Sequence, residues 1–242
     1  MLVAEGIHRL TGGVCNFYVI DEGGRRVLVD AGAPADWALL ARTMDELGWA
    51  IDSIEAVLLT HAHSDHTGFA ERARRDAGAR IYVHDRDRSM AQGAKPPKNE
   101  SSVARHLLHA EAYRTMVSLA RRGATRIVPI AEVSSFNDGE TLDLPGRPRV
   151  LHTPGHTAGS SSVYLEQAAA VCSGDALVMR NPLTGRTGPQ VMPSALNQST
   201  SEALASLDRL PTSARSVLPG HGEPWIDGVG EAVRLAKLAG RS

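Results

Sequence analysis

Three of the ten histidines in this 242-residue chain fall in one six-residue run, His61-Ala-His63-Ser-Asp65-His66. With this composition such a run arises by chance on the order of one time in a thousand, so it is read as a functional cluster. Neutral imidazole and carboxylate together suit zinc, iron or manganese and leave out the thiolate chemistry of structural zinc sites. Three later segments each end a strand-like run in a glycine turn that presents one more candidate ligand. Val150-Leu-His-Thr-Pro-Gly leads to His156, Ala170-Val-Cys-Ser-Gly to Asp175, and Val217-Leu-Pro-Gly to His221. Glycine lets the chain reverse there without a Cβ clash.

The surrounding pattern says how such side chains could be delivered. Residues 54–59 include the apolar run Ala56-Val57-Leu58-Leu59, expected of a buried strand, which runs directly into the histidine cluster. Further strands are predicted at 14–20, 26–29, 80–84, 126–129, 148–152, 160–165, 169–173 and 216–218. Helices are predicted at 36–47, from about 67, at 101–122, from Ser199 and at 229–239. Ser199 and Glu202 have the spacing of a capping box. Val103, Leu107, Ala110, Tyr113, Val117 and Ala120 form one apolar stripe on the 101–122 segment. Strands, a polar loop and a helix recur in each half with no linker between them, which implies one domain over residues 1–242 with a helical insertion around 85–125.

Bulk properties exclude several classes. A formal net charge of -1 with dispersed arginines is not a nucleic-acid footprint. No run approaches a membrane span. The N-terminus carries no basic-then-apolar signal, and Cys15 and Cys172 have no ligand spacing and are expected as buried thiols. The expectation is a cytoplasmic protein acting on a small molecule, without nucleic acid or membrane as partner. His8, His84 and His152 are read as structural strand residues.

The set of motifs, from Val29-Asp30-Ala-Gly32 to Pro219-Gly-His221-Gly-Glu223, resembles the metallo-β-lactamase-fold superfamily in its glyoxalase II-like branch. The resemblance implies an α+β fold, an αββα four-layer sandwich with metals at one edge between two sheets. It implies that His61, His63 and His156 hold a first divalent metal and Asp65, His66 and His221 a second, bridged by Asp175. Zinc is the first expectation for both, with manganese or ferrous iron as alternatives. Asp30 matches a position that supports the site through hydrogen bonds. An aspartate at 175 argues against a true β-lactamase, whose subgroup usually has Cys or Ser near this point.

Two metals roughly 3.5–4 Å apart can lower the pKa of a shared water towards neutrality and present hydroxide to a carbonyl. The reaction expected is hydrolysis of an ester, thioester, lactone or related bond, with Asp65 binding the second metal and orienting the nucleophile. A mononuclear iron persulfide dioxygenase of the same fold, using His61, His156 and Asp175, is the alternative, as is a non-catalytic metal-binding regulator. Substrate contacts are expected from the loop 179–192 and from His106, His109, Tyr113 and Met116. Those four recur at spacings of three, four and three, hence on one helix face.

Overall fold

The computed structural model describes residues 1–240. The chain opens with an antiparallel meander, β1 (Leu2–Ala4), β2 (Ile7–Thr11), β3 (Asn16–Glu22) and β4 (Arg25–Val29). After α1 (Trp37–Glu46), the strands β5 (Ile54–Leu58), β6 (Arg80–His84) and β7 (Ser134–Phe136) continue the sheet in parallel, giving the order β1 to β7. Between them lie α2 (Ala70–Asp76), α3 (Asp85–Ala91) and α4 (Ala110–Arg121). A second sheet has the order β13-β10-β9-β8, from β8 (Arg149–His152), β9 (Ser161–Leu165), β10 (Ala170–Gly174) and β13 (Ser216–Pro219). A ribbon of β11 (Val178–Arg180) and β12 (Thr187–Gln190) stands apart, and α5 (Thr200–Ser206) and α6 (Val229–Ala239) complete the chain.

Strand alternation sorts the side chains into layers. In β4 and β5, Val27, Val29, Ala56 and Leu58 face the second sheet, where they meet Val150, Val163, Cys172 and Leu218. Leu28 and Val57 point the other way, onto Leu40 and Met44 of α1, Ala70 and Ala73 of α2 and Met90 of α3. In the second sheet Val171 and Val217 turn from the inter-sheet core towards Leu207, Val229, Ala232 and Ala236. The result is the α/β/β/α layering of an α+β sandwich. Each layer is closed by residues at 0–4% exposure, so the strand ends have a rigid footing.

That footing matters because the functional loops all leave at one edge. β4 and β5 are parallel neighbours, as are β10 and β13. Asp30, the 61–66 run, Asp175 and His221 therefore emerge from carboxyl ends of adjacent strands, where open α/β sheets place ligands.

Several expectations are corrected. Residues 126–129 form no strand; Pro129 has no N–H for a ladder, and β7 forms instead at 134–136. β1 and the β11–β12 ribbon are additions to the elements read from sequence, and β2 supplies the strand in which His8 is expected. The 101–122 segment is not one helix. A 3-10 turn at Val103–His106 is followed by extended backbone at His109, which precedes α4. Its apolar stripe is not a core face either: Val103, Leu107 and Tyr113 are exposed, and Ala112 is the buried residue of α4. Helical spacing records an amphipathic face without saying what covers it.

Candidate metal centre

Asp30 ends β4 in the left-handed region, φ +63°, which a non-glycine residue occupies at a cost of about 1–3 kcal/mol. The conformation turns its buried carboxylate onto the next strand end. There it accepts hydrogen bonds from the Thr60 amide at 2.8 Å and the Thr60 hydroxyl at 2.9 Å. It also accepts from His66 Nδ1 at 2.8 Å. Thr60 Oγ1 lies 3.1 Å from His61 Nδ1 and, having given its own proton to Asp30, serves as that nitrogen's acceptor. One carboxylate thus orients two imidazoles, His66 directly and His61 through Thr60, and leaves the Nε2 atoms of both as lone-pair donors.

The other two late histidines are fixed in the same way. His156 Nδ1 lies 3.3 Å from Asn197 Oδ1, an amide that itself donates to the Met192 carbonyl. His221 Nδ1 donates to the Val14 carbonyl at 2.7 Å. Gly155 and Gly174, which precede His156 and Asp175, have φ of +127° and +50°. A Cβ at Gly155 would run into the Ala203 backbone, and one at Gly174 into the Thr60 side chain. Glycine is required at both turns.

The free nitrogens converge. His63 Nδ1 and His156 Nε2 are 2.9 Å apart, and His156 Nε2 and His61 Nε2 are 3.2 Å apart. Tetrahedral ligands at 2.0–2.1 Å from zinc lie about 3.3 Å from one another. Asp175 Oδ2 lies 3.4 Å from His156 Nε2, 3.9 Å from His61 Nε2 and 3.2 Å from His221 Nε2. Its Oδ1 is 3.5 Å from His66 Nε2. His221 Nε2 is 3.7 Å from Asp65 Oδ2. Three groups of potential ligand atoms lie within 4.8 Å of one another: His61, His63 and His156; His61, His66 and Asp175; and Asp65, His66 and His221. All seven residues singled out in the sequence are brought together, and Asp175 sits between the two halves of the cluster.

A divalent cation fits these residues on two counts. Asp175 Oδ1 is buried and receives no hydrogen bond among the described residues, a state expected of an oxygen whose partner is an ion. Burial also keeps the first group uncharged: it pushes His61 well below the ordinary histidine value and His63 down, and, together with the neighbouring His63, takes His156 to about 3. Neutral imidazoles are the form that coordinates metal. Burial works against the Asp175 carboxylate, yet His221 and His66 beside it hold its pKa well below the usual range.

Asp87 is a supporting residue with no sequence signal. This buried residue of α3 accepts from the Ala62 amide at 3.1 Å, the Thr157 hydroxyl at 2.7 Å and the Gly159 amide at 2.9 Å. It ties the loop carrying His61 and His63 to the loop carrying His156. Its sequence context, Asp85-Arg86-Asp87-Arg88, is that of a solvated helix start. Thr60 and Asn197 likewise carry no signal beyond adjacency to His61 and a place in the loop before α5.

The cluster opens into a cavity of about 270 Å³. Met116 lines it, but His106, His109 and Tyr113 do not, contrary to the expectation that the four share a substrate face. The break before α4 takes His106 out of the helical register that Tyr113 and Met116 still share, and leaves His109 at the N-cap of α4. His106 is buried, and Tyr113 is 67% exposed on a separate groove with Arg114 and Val117.

Residues 10–221 match the family model of the metallo-beta-lactamase superfamily. The chain belongs to that superfamily. The metallo-beta-lactamase superfamily is a family of metal-dependent hydrolases that bind divalent metal ions, and the His/Asp groups described above are ones that could hold such ions. Among its relatives is the probable metallo-hydrolase YflN of Bacillus subtilis, 25% identical over 98% of this chain and 91% of that protein. An uncharacterized protein of Mycobacterium bovis, Mb2612c, is 32% identical over 86% of each. Among solved structures, the metallo-beta-lactamase family protein TTHA1429 of Thermus thermophilus superposes with a TM-score of 0.69. It is 26% identical over 98% of this chain and 80% of that one. TTHA1623, solved in a di-iron-bound form, gives 0.62 and 26% over 96% and 98%.

Proposed function

We propose that this protein is a dinuclear metal-dependent hydrolase of the glyoxalase II-like type, cleaving an ester, thioester, lactone or related bond in a small molecule. The observation that carries the reading is Asp175, whose buried carboxylate faces both His156 and His221 and has an oxygen with no hydrogen bond. His61, His63 and His156 would hold the first ion and Asp65, His66 and His221 the second, with Asp175 shared. When bound, the two ions would supply Lewis acidity, making water a nucleophile near neutral pH and polarising the scissile carbonyl.

The chain's own groups do the rest. The Asp65 side chain is 17% exposed and borders the cavity, so its carboxylate can accept a hydrogen bond from the attacking water and hold it towards the carbonyl. Asp30, Thr60 and Asn197 keep the imidazoles from rotating.

Zinc is the expected ion on the all-nitrogen and carboxylate donor set. The di-iron form of TTHA1623 supports a two-metal site in this fold and makes iron the alternative occupant. A mononuclear dioxygenase would need only His61, His156 and Asp175, and would leave the group of Asp65, His66 and His221 without a purpose. The test is to purify the protein without chelator, count its metals, and assay a panel of esters, thioesters and lactones before and after metal removal. Two equivalents, with turnover suppressed by chelation and restored by zinc or manganese, is expected. Hydrolysis that survives complete metal removal would overturn the reading.

A further inference from the structure

The cavity at the candidate metal centre is lined by residues of two kinds. His63, Asp65, His156, Asp175 and His221 belong to the candidate site, while Leu107, Met116, Leu119, Leu183, Met192 and Leu196 form an apolar wall. No lysine or arginine lines it among the described residues. Three arginines of the surrounding elements are committed elsewhere. Arg114 and Arg180 pair with Glu111, and Arg122 pairs with the buried Asp36.

The few polar side chains in the wall are engaged with backbone carbonyls. Thr115 donates to the Pro182 carbonyl at 2.7 Å, Asn99 to the Ala195 carbonyl at 2.9 Å, and Ser64 to the Ala124 carbonyl at 2.6 Å. A hydroxyl has one proton to give, so of these three only the Asn99 amide keeps a second N–H. At the mouth, Val103, Leu107 and Met116 stay 41%, 53% and 51% exposed. Apolar groups kept in water around a cavity entrance mark a site for an apolar ligand.

From this we infer, resting on the hydrolase reading above, the substrate class: the non-reacting arm is an uncharged aliphatic or aromatic chain lying against the leucine and methionine wall. An anionic arm is disfavoured because, among the described residues, a carboxylate desolvated there would find no lining cation and, of the three polar side chains above, one neutral donor. The volume, about 270 Å³, lies just below the roughly 300–1,000 Å³ of small-molecule sites, which restricts the arm to a short chain or a single ring. A carboxylate-bearing arm would instead have to pass Ser64 into the neighbouring groove that carries Lys95 and Arg126.

Two matched pairs test this. Binding of N-hexylacetamide and of 6-acetamidohexanoate, which differ by a terminal carboxylate, is measured on the purified protein by calorimetry. Turnover of 4-nitrophenyl hexanoate is measured beside that of 4-nitrophenyl acetate and of mono-4-nitrophenyl adipate. The neutral amide should bind at least tenfold tighter than its carboxylate partner. The hexanoate should exceed both other esters at least tenfold in kcat/KM. Met116→Glu, at a half-exposed position that tolerates charge, should cut the hexanoate-to-acetate ratio at least fivefold. Equal binding of the two amides, or an adipate preference lost in Arg126→Ala, overturns the inference while leaving the hydrolase reading intact. Preferential binding of the neutral amide with no metal-dependent turnover of any ester upholds the apolar cavity and overturns the hydrolase reading.

Discussion

Asp87 touches no candidate ligand, yet it should control the first metal position. Its three acceptor contacts join the backbone at Ala62, between His61 and His63, to Thr157 and Gly159, just after His156. Asp87→Ala would orphan two buried amides at about 1–3 kcal/mol each, roughly 2–6 kcal/mol in all. That is a large share of a typical domain stability of about 5–15 kcal/mol. Asp87→Asn is the more informative change, since it preserves shape and places one amide N–H against a backbone donor. It should lower stability by about 1–3 kcal/mol in chemical denaturation and weaken the first site by the roughly 10–100-fold typical of ligand-supporting groups. The assay is metal competition against a chelator of known affinity, run in a His221→Ala background so that only the first position is intact. Unchanged affinity in Asp87→Asn, with the expected loss of stability, would show that the two loops hold their geometry without this carboxylate.

Two further outcomes are expected. Gly174→Ala should destabilise the fold by about 2–4 kcal/mol, combining left-handed backbone strain with a collision against Thr60; denaturation curves matching the parent would remove the steric account of the turn before Asp175. Tyr113→Ala should leave substrate preference unchanged and stability within about 0.5 kcal/mol, because the ring is exposed away from the cavity; an altered profile across an ester panel would place Tyr113 at the substrate after all.

The candidate site is largely legible in the sequence because its ligands follow strand ends in contiguous motifs. The apolar run at 54–59 becomes β5, buried on both faces, and the next residues are the ligand cluster. β6 and α6 form with the expected bounds, and Ser199 caps α5 by accepting from the Glu202 amide. What stays hidden depends on distant parts of the chain. Asp87 meets loops 25 and 70 residues away, and nothing in a charged helix start announces that. The helical stripe at 101–122 misleads because its apolar residues line a cavity mouth and solvent instead of a core. The β11–β12 ribbon has the look of a loop in sequence because Asn181, Pro182 and Gly185 are turn residues, and they do form its turn.

Two metals sharing Asp175 is the central claim, and His221 tests it most directly beside His156. The measurement is metal stoichiometry and ester turnover for His221→Ala and His156→Ala. In the dinuclear arrangement His221 serves the second ion with Asp65 and His66. His221→Ala should then keep about one equivalent and lose most activity, while His156→Ala loses the first ion and all turnover. Full metal content and full activity in His221→Ala, with His156→Ala inactive, would contradict a two-metal hydrolase and favour a single ion held by His61, His156 and Asp175.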